Sequence, residues 1–497
     1  MTIGLFCTTK KPIIRVEPFF LPLPGKPGDV HLAVKYIFIL LTGLFCQEVL
    51  FAQKTVITGS APGAERKMIR VSTPGDFITF LEKPLATARI DSTGRFSVIF
   101  TIDKTTFVSV AIDFHKTELV IEPAQKYELQ FDPMKYDEST DVNPIILSQN
   151  LTFTFAHSDS LGLNDLIGNF DSVYSDFLMK NFNALYRNRN KVLLDTFRVQ
   201  LNEKFGAVQN PYFINYATYK LASLEQLARY YGQSQLIKKY FSDQPVLYDN
   251  PEYMDLFNSV FSKYLTVTSN IFRKIDFNPV LKSPDPYSAV MKLMAGDTLL
   301  INTRLRELVM LKGMMELYNL SNYDPEKILS VITTAKEKSP FPENRVVAEN
   351  IISLLTKLKP GAMAPEFTLL NRDQKEISLK EFRGKPVVLG FWTTYCEECL
   401  SEMELIKPLY DKYKNDIQFV SVSADKYFSK MLFFINLKKD YVWTFVNIGD
   451  HSEVLIDYEV RTYPLFVLID KDGKINKYQA KQPSSGLEAD LQKMLKE

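Results

Sequence analysis

The chain has 497 residues, of which 46% are hydrophobic and 24% charged, with a formal net charge of +1. That is ordinary globular composition at a length suited to about two to four domains. A balance so near neutral gives no electrostatic footprint for nucleic acid or for an anionic membrane surface, so neither is expected as a partner.

The first feature in chain order is an apolar run from Tyr36 to Cys46, preceded by Lys35 and followed by Leu50-Phe51-Ala52-Gln53. The run is too short to span a bilayer and has the length of a secretion-signal core, with Ala52 as the cleavage point. Residues 1–52 are therefore expected to be a signal peptide with an extension ahead of it. Residues 1–33 carry Pro12, Pro18, Pro22, Pro24 and Pro27, which suit no signal n-region, and Val34 is the expected true start. Gly43 and Phe45 argue against lipidation of Cys46. Cleavage removes Cys7 and Cys46 and leaves two cysteines, which suits an oxidising compartment because no other thiol remains to shuffle. The mature chain is not expected to span a membrane.

From 53 to 135 short alternating strands are broken by turn signals, a pattern that predicts a β-sandwich. The expected strands are 56–59, 67–71, 77–82, 89–91, 96–102, 107–113, 118–121 and 126–131. No catalytic cluster stands out, and His115 reads as a strand-surface residue. Residues 140–355 read as mostly helical. Phe213, Tyr216, Ala217, Leu221, Leu224, Leu227, Ala228 and Tyr231 make one apolar stripe. Ile301, Leu305, Leu308, Leu311, Met315 and Tyr318 make a second, weakened by Gly313. Arg187, Arg189, Lys191 and Arg198 read as a solvated face.

The chemistry lies in the last segment, 359–497. Pro386 to Gly390 reads as a buried parallel strand, and Leu400 to Tyr413 as a helix. Between them stands Trp392-Thr393-Thr394-Tyr395-Cys396-Glu397-Glu398-Cys399. A helix N-terminus favours a thiolate, so Cys396 is the expected nucleophile and Cys399, one turn on, the resolving thiol. The spacing brings the sulfurs within disulfide reach. Half a zinc site looks the same, but the chain has four cysteines, four histidines and no second ligand pair, so no metal is expected.

These landmarks resemble the thioredoxin-fold domains of the TlpA/ResA type, thiol–disulfide oxidoreductases of the cell envelope. The resemblance rests on Gly361, Ala364-Pro365, Phe367 and Leu369, then Leu379, Phe382 and Gly384-Lys385. It continues with Phe391-Trp392, Cys396, Cys399, Glu402, Phe419 to Asp425, Tyr463-Pro464, Leu465 to Asp470 and Asp472-Gly473. The turns at Asp91-Ser92-Thr93-Gly94 and Glu122-Pro123-Ala124 resemble the small domain found ahead of such domains. The fold class expected is thus multidomain, with a β-sandwich, a helical middle and a C-terminal α/β thioredoxin-like domain. The resemblance implies that Pro464 is cis and faces the disulfide, and that Glu402 accepts or tunes protons. Trp392, Tyr395 and Tyr463 are implied substrate contacts. It implies no cofactor beyond the redox-active Cys396–Cys399 disulfide, and a location in the periplasm or cell envelope. The implied partners are disulfide-containing envelope proteins, such as an apocytochrome, and a membrane thiol reductase as electron donor.

Three departures from that family stand out. Position 390 is Gly where thioredoxin has a buried Asp. Glu397-Glu398 replaces a dipeptide that usually ends in Pro, and two carboxylates disfavour the Cys396 thiolate, which points to a disulfide reductase. Position 404 is Glu where many relatives have Pro. Two other readings compete: a scaffold protein with a vestigial redox domain, and a peroxiredoxin-like peroxidase suggested by Thr393, which lacks that site's proline at Leu389.

Overall fold

The structure is a computed structural model that describes residues 54–112, 115–133, 150–156, 162–449 and 451–496. The expected signal segment, with Cys7, Val34, Cys46 and Ala52, lies outside the described residues, as do residues 134–149.

Strands β1 (Thr55–Ser60), β2 (Met68–Pro74), β3 (Glu82–Arg89) and β4 (Arg95–Phe100) are followed by β5 (Thr106–Ile112), β6 (His115–Ile121), β7 (Lys126–Phe131) and β8 (Phe153–Phe155). They form two four-stranded sheets, ordered β4-β1-β7-β8 and β3-β2-β5-β6. Alternation explains which face is buried: in β4, Phe96, Val98 and Phe100 point inward and Arg95, Ser97 and Ile99 do not. Ile57, Val98 and Leu129 from one sheet and Val71, Val108 and Val110 from the other join in one apolar cluster. The Asp91 carboxylate accepts the N–H groups of Thr93 and Arg95, while Gly94 takes the left-handed φ of 79° that closes the turn.

The segment from Phe77 to Glu82 is not the strand that its pattern suggested. The Asp76 carboxylate accepts the N–H groups of Ile78 and Thr79 and curls the chain into a turn. Phe77 and Ile78 are buried among the helices rather than between the sheets. Asn258 and Asn350 hold this turn from the helical side, through the Phe77 carbonyl and the Asp76 carboxylate. The strand of that region is Glu82–Arg89, which reaches only the first residue of the expected 89–91 strand. It lies at a sheet edge, contains Pro84, and pairs with β2 across a register shift at Val71/Ser72. Phe153–Phe155, within the stretch read as helical, is a strand.

The helical region comprises α1 (Leu163–Tyr186), α2 (Lys191–Phe205), α3 (Pro211–Leu227), α4 (Pro251–Val260), α5 (Pro286–Met294), α6 (Thr303–Tyr318), α7 (Pro325–Lys338) and α8 (Pro342–Thr356), with shorter turns between. Proline opens α3, α4, α5, α7 and α8, where its missing N–H costs nothing. Asn210, Asn250 and Asn302 cap α3, α4 and α6 with their side-chain oxygens.

The two apolar stripes read from sequence describe these helices incompletely. Helix α3 is buried on two sides: Phe213, Tyr216 and Leu224 join the core of α1 and α2, and Tyr219 and Ala222 join the larger core beyond. Helix α6 is surrounded, burying Val309, Met310 and Met314 as well as Leu305, Leu308 and Leu311. Ile301 precedes that helix and is exposed. Gly313 is a packing requirement, since a Cβ there would stand 2.3 Å from Leu265 Cδ1. Arg198 is no solvated charge either: it pairs with the buried carboxylate of Glu225 and lies over the Tyr230 ring.

The C-terminal part contains β9 (Thr368–Asn371), β10 (Glu376–Ser378), β11 (Val387–Trp392), α9 (Glu397–Tyr413), β12 (Gln418–Ser423), α10 (Phe428–Leu437) and β13 (Thr444–Asn447). After these come β14 (Leu465–Ile469), β15 (Ile475–Lys477) and α11 (Leu487–Met494). The seven-stranded sheet has the order β10-β9-β13-β12-β11-β14-β15, with an apolar cluster on each face. Every residue of β11 is buried, as its unbroken apolar run demands. It runs parallel to β12 but antiparallel to β14, so the expected parallel strand is parallel on one side only. Arg70 of β2 reaches Glu453 at 2.6 Å and Lys357 reaches Asp457 at 3.4 Å, linking this part to the rest.

Candidate active site

The redox segment begins where β11 ends. Trp392 closes the strand, and the next residues must turn before α9 can start. Asp425, buried just beyond β12, accepts the Thr394 N–H at 3.1 Å and the Thr394 hydroxyl at 2.7 Å, and the Ser423 hydroxyl completes its shell. Asn447 in turn donates to the Asp425 carbonyl at 2.7 Å. This buried group fixes the loop that presents the cysteines.

Cys396 is the N-cap of α9, and its Sγ accepts the Cys399 N–H at 3.1 Å. The two sulfurs are joined as a disulfide, with the Cα atoms 5.2 Å apart. Their surroundings differ: Cys396 is half-buried, whereas Cys399 is 1% exposed. Glu397 and Glu398 are both exposed in the first turn, and Glu398 accepts a hydrogen bond from the Gln482 side chain at 2.9 Å. Glu402 lies one turn beyond Cys399 on the same side of the helix. It is buried, and its carboxylate accepts both the backbone N–H and the hydroxyl of Ser484. Position 404 is an exposed Glu paired with Lys438, and the helix carries its proline one turn later, at Pro408.

The second wall comes from the neighbouring strand. Phe391 pairs with Leu465, so the loop leaving β11 and the loop entering β14 meet at one end of the sheet. That second loop contains Tyr463-Pro464, whose peptide bond is cis. Tyr463 is half-buried, packed against the apolar clusters of both faces, and its hydroxyl has no hydrogen-bond partner among the described residues. Burial, reinforced by Tyr395 and Asp425, pushes that hydroxyl far above its ordinary pKa. Among the described residues, no three His, Cys, Asp or Glu side chains are grouped to hold a metal ion.

The AhpC/TSA family model matches residues 360–478. The thiol–disulfide oxidoreductase ResA of Bacillus thuringiensis subsp. konkukian is 36% identical over 141 residues, which is 28% of this chain and 80% of that protein. The chain belongs to the ResA-type thiol–disulfide oxidoreductases. The thioredoxin-like protein YneN of Bacillus subtilis is 31% identical over 121 residues, 24% of this chain and 69% of that one. The thioredoxin domain of a thiol–disulfide oxidoreductase from Bacteroides vulgatus is 25% identical, covers 27% of this chain and 97% of its own, and gives a TM-score of 0.26.

Within this ResA-type domain the structure gathers Cys396, Cys399 and Glu402 at the start of one helix, and sets Tyr463 and Pro464 in the loop that enters β14, the strand paired with β11. Tyr395 is 39% exposed. Trp392 is a correction: it is 2% exposed, packed on Phe434 and Phe445, and so belongs to the core rather than to a substrate surface. Its position just before the cysteines suggested contact, but β11 is covered by an apolar cluster on each face, so neither phase of the strand reaches a substrate. The empty side-chain place at Gly390 is filled by the Phe466 ring, whose Cε1 would stand 3.0 Å from any Cβ there. Sequence reasoning assigned no role to Asp425 and did not single out Gln482 or Ser484. Their signal is contact across the fold, which no local pattern carries.

Proposed function

We propose that this chain is an exported disulfide reductase acting on disulfide-containing proteins of the cell envelope. The observation that carries the reading is the asymmetry of the pair: a half-buried Cys396 at a helix N-terminus and a buried Cys399 behind it. The Cys396 thiolate attacks one sulfur of a substrate disulfide and releases the other as a thiolate. The Cys399 thiolate then attacks Cys396 Sγ, forms the intramolecular disulfide and releases the second substrate thiol. Two electrons pass to the substrate, and a membrane thiol reductase restores the dithiol. Glu402, held by Ser484, is the group we assign to proton transfer at Cys399. Tyr395 and the Tyr463-Pro464 backbone form the substrate's docking edge, where an extended peptide adds strand-like hydrogen bonds. No cofactor other than the disulfide takes part.

In this reading residues 1–52 are removed on export, the two β-sheets with β8 form a sandwich, the helices from Leu163 to Thr356 form a platform, and the redox domain follows. Among the described residues, no helix is long and apolar enough to cross a membrane. A peroxidase role finds little support, because Thr393 is fully buried with no partner for its hydroxyl among the described residues and position 389 is leucine.

Equilibration of the Cys396–Cys399 pair with thiol buffers tests the direction of electron flow. A potential near or below about −270 mV is expected for a reductase, and one near about −120 mV would make the pair an oxidant. The Cys396→Ser variant tests catalysis itself: full function in that variant would leave only a scaffold.

A further inference from the structure

The outer face of sheet β3-β2-β5-β6 does not meet the helices everywhere. Between it and α1, α3 and α4 lies an open cleft of about 570 Å³, within the range of small-ligand sites. Its floor is a cross-strand row of side chains on the face opposite the sheet core: Ser72 pairs with Ser109, and Ser109 with Glu118. Ser109 is 6% exposed and its hydroxyl has no partner among the described residues, a polar atom of a kind that folded proteins rarely leave unmatched.

The walls are of two kinds. One is aromatic: Phe77, Phe107, Phe153 and Phe155 line it, and Phe80 stands at its rim, 52% exposed on a backbone with a left-handed φ of 54°. The other is acidic. Glu82, Glu118, Asp171, Glu252 and Asp255 face the cleft, against only Lys116 and Lys220. Lys220 is already engaged, 2.6 Å from Glu252 and 3.7 Å from Asp171. Burial holds the carboxyls of Glu252 and Asp255 above their usual range, Lys220 offsetting this only in part. Space is kept open from the helical side as well. Gly168 sits inside α1, where glycine is a poor helix former, and a Cβ on it would meet nothing within 4 Å.

We propose that this cleft binds a short peptide segment carrying a lysine or arginine beside an aromatic or large apolar side chain. The cation answers the excess of carboxylates, the apolar group packs on the phenyl rings, and the peptide amides offer partners to Ser109 on the floor. The proposal does not depend on the redox reading, since no residue of the cleft belongs to the cysteine site.

The test is fluorescence anisotropy of a fluorescein-labelled tetrapeptide, Phe-Lys-Phe-Arg amide, titrated with the full chain. Saturable binding is expected. It should weaken at least tenfold in Gly168→Leu, which narrows the cleft while favouring the helix, and in Asp255→Asn, which removes a charge without changing shape. The peptide with glutamates in place of the two cations should bind at least tenfold more weakly. Absence of saturable binding, or equal affinity in both variants with circular dichroism unchanged, overturns the proposal. Benzylammonium displacing the peptide at equimolar concentration would also overturn it, because the site would then take a simple amine.

Discussion

Ser484 gives both its backbone N–H and its hydroxyl to the carboxylate of Glu402, which ties the short turn before α11 to the helix that begins with the redox pair. If Glu402 serves the protons of the cysteines, its aim depends on this clamp. Glu402→Gln should slow dithiol–disulfide exchange roughly 100-fold, and Ser484→Ala roughly tenfold. Ser484→Thr, which keeps the hydroxyl, should recover most of the rate. Stopped-flow oxidation of the reduced protein across a pH series checks this, since a merely structural role would leave the pH profile unmoved.

Asp425, itself buried, accepts hydrogen bonds from the N–H and hydroxyl of half-buried Thr394 and from the buried Ser423 hydroxyl. Asp425→Ala leaves these donors unmatched and should cost about 2–3 kcal/mol in urea unfolding. The loop that presents Cys396 should also become more accessible, which alkylation of the reduced protein would register as faster labelling.

Gly390 leaves no room beside the Phe466 ring. Gly390→Ala should destabilise the protein by about 1–2 kcal/mol through overpacking. Gly390→Asp, which would restore the carboxyl found in thioredoxin, should cost several kcal/mol because the charge has no place to go. Thermal denaturation of the two variants gives the order directly.

Gly313 sets two effects against each other. Alanine favours the interior of a helix by about 1 kcal/mol. Its Cβ, however, would stand 2.3 Å from Leu265 Cδ1 in a tightly packed core, and relieving such contacts costs about 1–3 kcal/mol. Packing should win, so Gly313→Ala is expected to lower the urea midpoint.

Glu453 supplies a pH dependence. Burial raises its pKa, but hydrogen bonds from His451 and its own N–H, together with Arg70, outweigh burial and leave it below the ordinary 4.5. A carboxyl depressed in the folded state contributes stability above its unfolded pKa and loses it as pH falls through the folded value. The link between Arg70 and Glu453 should therefore hold at neutral pH, and its contribution should begin to fall below the ordinary 4.5 and be lost as pH drops through the lower folded value. Glu453→Gln should flatten the acid limb of a stability-against-pH curve measured by urea unfolding.

The parts of the fold that sequence revealed are those set by local pattern. Cys396 and Cys399 declared themselves by spacing and by the strand and helix on either side, and most of the strands between Thr55 and Phe131 by alternation. Phe77 and Ile78 misled because alternation reports burial without saying against what, and their partners are helices. The strand Glu82–Arg89 stayed hidden because Pro84 and its polar residues suit an edge, where the apolar signal is weakest. Trp392 was misplaced because proximity in sequence to a reactive cysteine says nothing about which side of a strand a ring occupies. The Glu402–Ser484 and Thr394–Asp425 contacts join residues far apart in the chain, so no window of sequence contains them.

The pairing of Phe391 with Leu465 fixes the site at one end of the central sheet, and Val387 opposite Gln418 and Ile469 marks the other end. The connections at residues 414–417, 438–443 and 470–474 all lie at that far end. Lengthening the exposed tip of one of them should leave the relation between Cys396 and Pro464 unchanged, because that relation is carried by the β11–β14 register and by the Asp425 contacts at the opposite end. The exposed tips of these turns, at Asn415, Lys439 and Lys471, are accordingly the places to graft an affinity tag, a fluorophore or a tether to a surface while the catalytic end stays unobstructed.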